Sequence, residues 1–174
     1  MSQLLARRRQ RGALQLLRSF NDLFAASLLL LLSSCIYDAP LTESPSRKID
    51  ERLIGDWVSV EEKPDTIEIR KFDDSNFILI DGGNIYRVFH SDFEGTSFLS
   101  VQNLDSAGDS ARRFAFIDYR FEQPDRVRAR AINKEVISES LRTTAEIQKS
   151  LREHLQDAHL FNKEEIVYTR KTVR

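Results

Sequence analysis

The sequence predicts a mainly β domain: an antiparallel meander closing into a small barrel or strongly curled sheet, with one C-terminal helix packed on it before a last strand. Three observations predict it. Short segments with a two-residue apolar period alternate with tight-turn signals from residue 56 to residue 132. The period then changes to that of an amphipathic helix. A last β-rich run, Ile166-Val167-Tyr168-Thr169-Arg170, follows the helix.

The first strand is expected over residues 56–61, with Trp57 at its start. Residues 66–72 set Ile67 and Ile69 against Glu68 and Arg70, the alternation of a half-buried strand. Phe77-Ile78-Leu79-Ile80 is a compact apolar run. Asp81-Gly82-Gly83-Asn84 behind it supplies the positive φ angles of a hairpin turn. Residues 85–90 return, and residues 97–102 form the next strand after turn residues 92–95. A polar loop around Gly108 leads to residues 113–121, where Ala115, Ile117, Tyr119 and Phe121 share one face. Pro124-Asp125 turns the chain. Residues 126–132 then point Val127, Ala129 and Ala131 inward and Arg126, Arg128 and Arg130 outward. Such a meander curls into a sheet or barrel.

A short helical turn is expected over residues 134–141, ahead of the main helix. Thr143-Thr144-Ala145-Glu146 has the spacing of a capping box, which satisfies the first free backbone N–H groups. Ile147, Leu151 and Leu155 follow at four-residue steps, so one stripe of the helix expected over 145–157 is apolar. Lys149, Arg152, Glu153 and Gln156 lie away from it. Their mixed charge suits a helix packed on a sheet better than one lying on a membrane.

Ahead of the domain stand five arginines, Arg7, Arg8, Arg9, Arg11 and Arg18, then the apolar run from Leu23 to Leu32, then Ser33-Ser34-Cys35. A basic segment, an apolar segment and small residues make the layout of a secretory signal. Ten helical residues span roughly 15 Å, half of a bilayer core, so the run makes a poor permanent span. Leu32-Ser33-Ser34-Cys35 resembles the lipobox of bacterial lipoproteins. The resemblance implies cleavage between Ser34 and Cys35, lipid on the Cys35 thiol, and attachment to the membrane through that lipid. With Ile at position 36, it implies the outer membrane, facing the periplasm. The expected layout is a signal peptide over 1–34, the lipidated Cys and a flexible tether over 35–50, and a β-domain over 51–174. The tether reading rests on Pro40, Pro45 and small polar residues without periodicity.

Cys35 is the only cysteine, so the domain has no partner for an intrachain disulfide. The leader carries five Arg and one Asp, so the 26 basic and 27 acidic residues of the chain become 21 and 26 after cleavage. That acidic balance argues against nucleic acid, which needs a basic stripe or patch. The alternating arginines of residues 126–130 read as the solvated face of a strand.

Leu53-Ile54-Gly55-Asp56-Trp57 resembles the Leu-x-Gly-x-Trp opening of lipocalin-like (calycin-type) barrels. The resemblance implies that Gly55 lets the chain turn into the first strand and that Trp57 plugs one end. The ending from Leu160-Phe161 through Val167 to Arg170 is similar to that of a set of small bacterial lipoproteins of unknown activity. Together these motifs cover most of residues 51–171.

Groups that carry chemistry are sparse. His154 and His159 are five apart and face different sides of a helix, whereas a zinc pair needs four. His90, alone in a strand, reads as a satisfied or exposed side chain. Asp105 and Asp109 flank Gly108 without the spacing of a calcium loop. Glu61-Glu62 and Glu164-Glu165 are adjacent, and strand neighbours face opposite ways. No metal, cofactor or catalytic residue is expected. If Phe114 and Phe116 lie opposite Ile117 and Tyr119, the helix covers one face and the other lines a small apolar pocket. The expectation is a lipid-anchored, non-catalytic envelope protein that binds a small apolar ligand or another envelope component. The alternatives are an envelope enzyme of unrecognised type and a protein-docking module using the helix.

Overall fold

The computed structural model describes residues 36–104 and 113–172. Among them, eight antiparallel strands close into a barrel in sequence order. They are β1 (Gly55–Ser59), β2 (Thr66–Lys71), β3 (Asn76–Asp81), β4 (Asn84–Phe93), β5 (Thr96–Asn103), β6 (Phe114–Gln123), β7 (Arg126–Ala131) and β8 (Ile166–Arg170). Tight turns hold the register. Gly82 and Gly83, at φ 56° and 95°, reverse the chain so that Asp81 faces Asn84. Glu94 and Gly95 do the same between Phe93 and Thr96. β4 therefore runs three residues past the expected end at His90, because Ser91 and Asp92 pair with Phe98 and Ser97. β8 returns to pair with β1, Trp57 opposite Arg170, and leaves the barrel without an edge.

The alternation of each strand sorts its side chains into two apolar clusters. Ile67, Phe77, Val88, Val101, Ala115 and Ile117 belong to one, inside the barrel. Phe89, Phe93, Phe98, Phe114 and Phe116 belong to the other, on the outer face of β4, β5 and β6. Only part of each of these strands, residues 88–91, 98–101 and 114–117, is buried on both faces. β2 and β7 keep a wet outer face and alternate cleanly. Phe72 departs from the aromatic core and is 68% exposed.

The helix α1 (Thr144–His154) covers the outer cluster before β8, as expected. Thr143 and Glu146 form the full capping box. Ile147 and Leu151 are fully buried and Leu155 partly so. The helix ends three residues short of the expected Asp157. A turn from Asp157 to His154 carries Leu160 back to the barrel, where its carbonyl accepts from Asn133 N at 2.8 Å. Residues 134–141 form turns rather than helix, with the N–H groups of Val136 and Ile137 both donating to the Asn133 carbonyl.

The tether reading of residues 36–50 needs correction. This stretch is a strap laid against the barrel. The Ile36 and Tyr37 N–H groups donate to the Phe114 carbonyl at 3.0 and 3.1 Å, and Phe114 N returns a bond to Tyr37 at 2.8 Å. The Tyr37 ring stacks on Phe116 at 4.8 Å, and its hydroxyl donates to the Ile137 carbonyl at 2.6 Å. Leu41 is fully buried. Thr144 and Gln148 of α1 donate to the carbonyls of Pro40 and Leu41. Past Phe89, where β3 no longer pairs with β4, Ser46 takes over and donates to the His90 carbonyl at 2.9 Å. Pro and Ser suppress regular structure, but Tyr37 and Leu41 bury enough apolar surface to hold an irregular segment down.

Because the α1 stripe faces the outer cluster, Leu151→Asp places an unpaired carboxylate in hydrocarbon. We expect it to destabilise the domain by several kcal/mol. Urea unfolding checks this, and an unchanged midpoint would mean that the stripe faces outward.

Candidate functional site

One end of the barrel is shut by side chains that the opening motif brings together. Asp50 caps a 3-10 turn, Glu51–Leu53, that crosses this end. Trp57 on β1 is fully buried and donates from Nε1 to the Leu53 carbonyl at 2.8 Å. Arg170, last in β8, lies over the Trp57 ring with its guanidinium carbon 4.4 Å from the centroid. It also donates to the carbonyls of Ile54 (2.6 Å) and Arg52. Gly55 has φ 144°, and a Cβ there would collide with the Arg170 guanidinium. The glycine of the motif is thus needed both for its backbone angle and for the space that Arg170 occupies. Phe121 adds a second aromatic wall 6.3 Å from Trp57, and Arg52 covers it at 4.5 Å. The paired Arg52 guanidinium holds the Asp50 carboxyl below its ordinary pKa, against the opposing effect of burial. The Tyr119 hydroxyl donates to the same carboxylate at 3.3 Å.

Above this floor lies a cavity of about 90 Å³. Its lining is hydrocarbon from strands around the barrel: Ile67, Leu79, Val88, Leu99, Val101, Ile117 and Val127 among them, with Tyr119 and Tyr168 the hydroxyl-bearing members. It is smaller than the ~150 Å³ of a cavity that takes benzene, so it suits a molecule of a few non-hydrogen atoms without rearrangement. The interior is neither empty in the manner of a large ligand barrel nor filled. Burial, with the carboxylates of Asp81, Asp65 and Glu61 behind it, pushes the Tyr168 phenol well above its ordinary pKa. Asp81 is itself raised by burial and by Asp65, but it belongs to the rim opposite Trp57 and does not line the cavity.

His90 differs from its expected state, being neither exposed nor satisfied. It lies inward on β4, fully buried, and among the described residues neither ring nitrogen has a hydrogen-bond partner. Its ring centroid is 6.0 Å from those of Phe77 and Tyr119, both cavity-lining side chains. Burial holds its pKa down to about 4; Arg47 adds to the effect, and Asp92 and Asp50 oppose it. The imidazole is therefore neutral at physiological pH.

On the outside of β6 and β7 the three alternating arginines are balanced by acids. Arg126 and Arg128 pair with Glu122, Arg130 pairs with Asp118 at 2.8 Å, and Glu165 joins Arg128. Arg130 also lies over Phe161 at 4.2 Å. Paired in this way, the three make a mixed-charge face and not a basic patch. Among the described residues, no three His, Cys, Asp or Glu side chains gather as a metal site.

Leu53, Gly55 and Trp57 thus meet at one end of the barrel, while Ser34 and Cys35 lie outside the described residues. Arg170 and His90 are not marked as site residues by any local sequence motif. The pairing of β1 with β8 brings Arg170 to Trp57, which local sequence does not reveal. The alternation Val88, Phe89, His90 does place His90 inward. Among the described residues the geometry defines a closed eight-stranded antiparallel barrel with one helix, consistent with a lipocalin-like architecture. No family model, curated protein or solved structure matches the chain.

Two outcomes follow from this site. Trp57→Ala removes the plug and its stacking with Arg170, and we expect a loss of roughly 3–5 kcal/mol in urea unfolding. A water-exposed emission maximum for Trp57 in the folded protein would contradict the buried position. The second concerns pH. The unfolded chain takes up the His90 proton near pH 6.5, whereas the folded one does so only near pH 4. The contribution of neutral His90 is fully present above pH 6.5 and is lost as pH falls toward 4, on the order of 3 kcal/mol. His90→Phe should flatten this slope in thermal melts between pH 7 and 4; a slope unchanged by the substitution would assign it to other groups.

Proposed function

We propose that the chain is a lipid-anchored, non-catalytic binding protein of the bacterial envelope, held at the outer membrane facing the periplasm, with a small apolar ligand in its barrel. The supporting observation is the hydrocarbon-lined cavity at the centre of a closed barrel, shut at one end by Trp57 and Arg170. Transfer of apolar surface from water into such a cavity is favourable without any charged contact. The anchor rests on Leu32-Ser33-Ser34-Cys35. One acyl chain binds a membrane only marginally, and several make attachment effectively permanent. Docking through the helix has less support, because Ile147 and Leu151 spend the apolar stripe on the barrel.

Cys35→Ser should yield an uncleaved precursor that takes no acyl label in cells. Processing at Ser34/Cys35 and membrane fractionation that survive the substitution would refute lipid attachment, and sedimentation with inner-membrane markers would refute the outer-membrane assignment. For the cavity, xenon is the test ligand. It should shift the NMR methyl signals of Val88, Leu99 and Ile117 saturably and leave exposed methyls unchanged; no shift in those signals would remove the small-ligand reading.

A further inference from the structure

The geometry points to a more definite ligand class: we propose that the cavity takes the hydrocarbon tail of a small primary amine, and that Tyr168, Asp81 and Asp65 hold its ammonium group at the rim opposite Trp57. This rests on the reading of the barrel interior as a ligand site.

The strand alternation that lines the cavity carries on to this rim. Phe77 and Leu79 line the cavity from β3, and Asp81 is the next residue of the same face. It stands directly across from Ile67 of β2, another lining residue, and residues directly opposite share a face. Asp65 lies two residues before Ile67 and exchanges two bonds with Ser59 of β1. The Ser59 N–H donates to its carbonyl at 2.9 Å, and the Ser59 hydroxyl accepts from its N–H at 2.8 Å. Ser59 in turn faces Tyr168 of β8, which lines the cavity itself. Neighbouring strands β8, β1, β2 and β3 thus bring a phenol and two carboxylates to one arc of the rim.

None of these groups is matched by a partner. Tyr168 is only 6% exposed, yet among the described residues its hydroxyl makes no hydrogen bond. Unlike the ring nitrogens of His90, its oxygen is not sealed off from outside. A phenylalanine would pack equally well here, so the hydroxyl calls for another explanation. Asp81, Asp65 and the nearby Glu61 form no ion pair among the described residues, and the exposed Lys63 joins none of them. Elsewhere on the barrel Asp92, Glu94, Asp118 and Glu122 each meet an arginine. Burial and then Asp65 raise the Asp81 carboxyl; burial and then the three acids raise the Tyr168 phenol. A cation brought to this arc relieves the repulsion and gains charge-assisted hydrogen bonds. An ammonium donates three such bonds, and a phenol oxygen accepts one as readily as a carboxylate does.

The surroundings also say which cation. Among the described residues no three acids converge closely enough to hold a metal ion. The space behind the rim is hydrocarbon, so a tail of a few carbons gains by leaving water. A second charge on that tail would be buried without a partner, a strongly unfavourable transfer, which restricts the ligand to one cationic end.

The test compares n-butylammonium with 1-butanol, which keeps the tail and removes the charge. The methyl signals of Val88, Leu99 and Ile117 are titrated in the purified protein near neutral pH. Butylammonium should bind about tenfold more tightly than 1-butanol, and Asp81→Asn should remove most of that advantage. Affinity for 1-butanol and xenon should change by less than about twofold in the variant. Asp65→Asn, at an exposed position before β2, should weaken butylammonium about threefold and separates loss of charge from any effect of Asp81→Asn on folding. Equal affinity for the two probes, or butylammonium indifferent to both Asn variants, with xenon still bound, overturns this inference and leaves the cavity reading intact. Absence of xenon binding overturns the cavity reading itself, and the amine site with it.

Discussion

The barrel depends on the contact between Arg170 and Trp57. One guanidinium closes the seam between the first strand and the last, caps the only indole, and binds the backbone of the 3-10 turn that crosses the end. A cation over an indole face is worth more as it is shielded from water, and here the indole is fully buried and the guanidinium half-buried. The arrangement restricts its surroundings. Gly55 cannot carry a side chain, and Leu53 must present its carbonyl to Trp57 Nε1. The Leu-x-Gly-x-Trp spacing is the sequence record of these demands, and its far end is an arginine 115 positions after the glycine.

A second constraint follows from having two apolar layers on one barrel wall. β4, β5 and β6 bury residues on both faces, so the outer cluster of phenylalanines needs a cover. α1 supplies part of it and the strap the rest, and the two are bonded to each other through Thr144 and Gln148. Loss of either would uncover aromatic surface, which promotes aggregation in soluble domains. The polar residues of the strap have a place in this scheme. Thr42, Ser91 and Ser100 form a line of hydroxyl bonds across the outer face, at 2.8 Å each, beneath an otherwise apolar lid.

Much of this was legible because periodicity is local. The strands of the meander, the Gly82-Gly83 turn, the capping box at Thr143 and the Ile147/Leu151 stripe each announce themselves within a few residues. The opposite fates of Phe116 and Ile117 follow from a two-residue repeat once the segment is known to be a strand. The strap was misread because composition carries no sign of packing. Two prolines and several small polar residues suggest a free chain, and only the spatial position of Tyr37 against Phe116 shows otherwise. His90 was misread for a related reason. A histidine in a strand is usually served by a neighbour, and the absence of one is a property of the assembled interior. Arg170 was seen as a pattern residue, and its role emerged only when strand pairing set it above Trp57.

The strap also bears on how far the domain can range from whatever precedes it. Consecutive Cα atoms are ~3.8 Å apart, and Ile36 is already bonded to Phe114. A lipid on Cys35 would sit on a leash one residue long. The barrel would then ride flush with the bilayer and keep a limited set of tilts, where a free fifteen-residue chain would let it swing through a wide hemisphere. Tension between membrane and domain would load the Tyr37–Phe114 bridge first, so the strength of that short pairing would set the force at which the strap begins to peel.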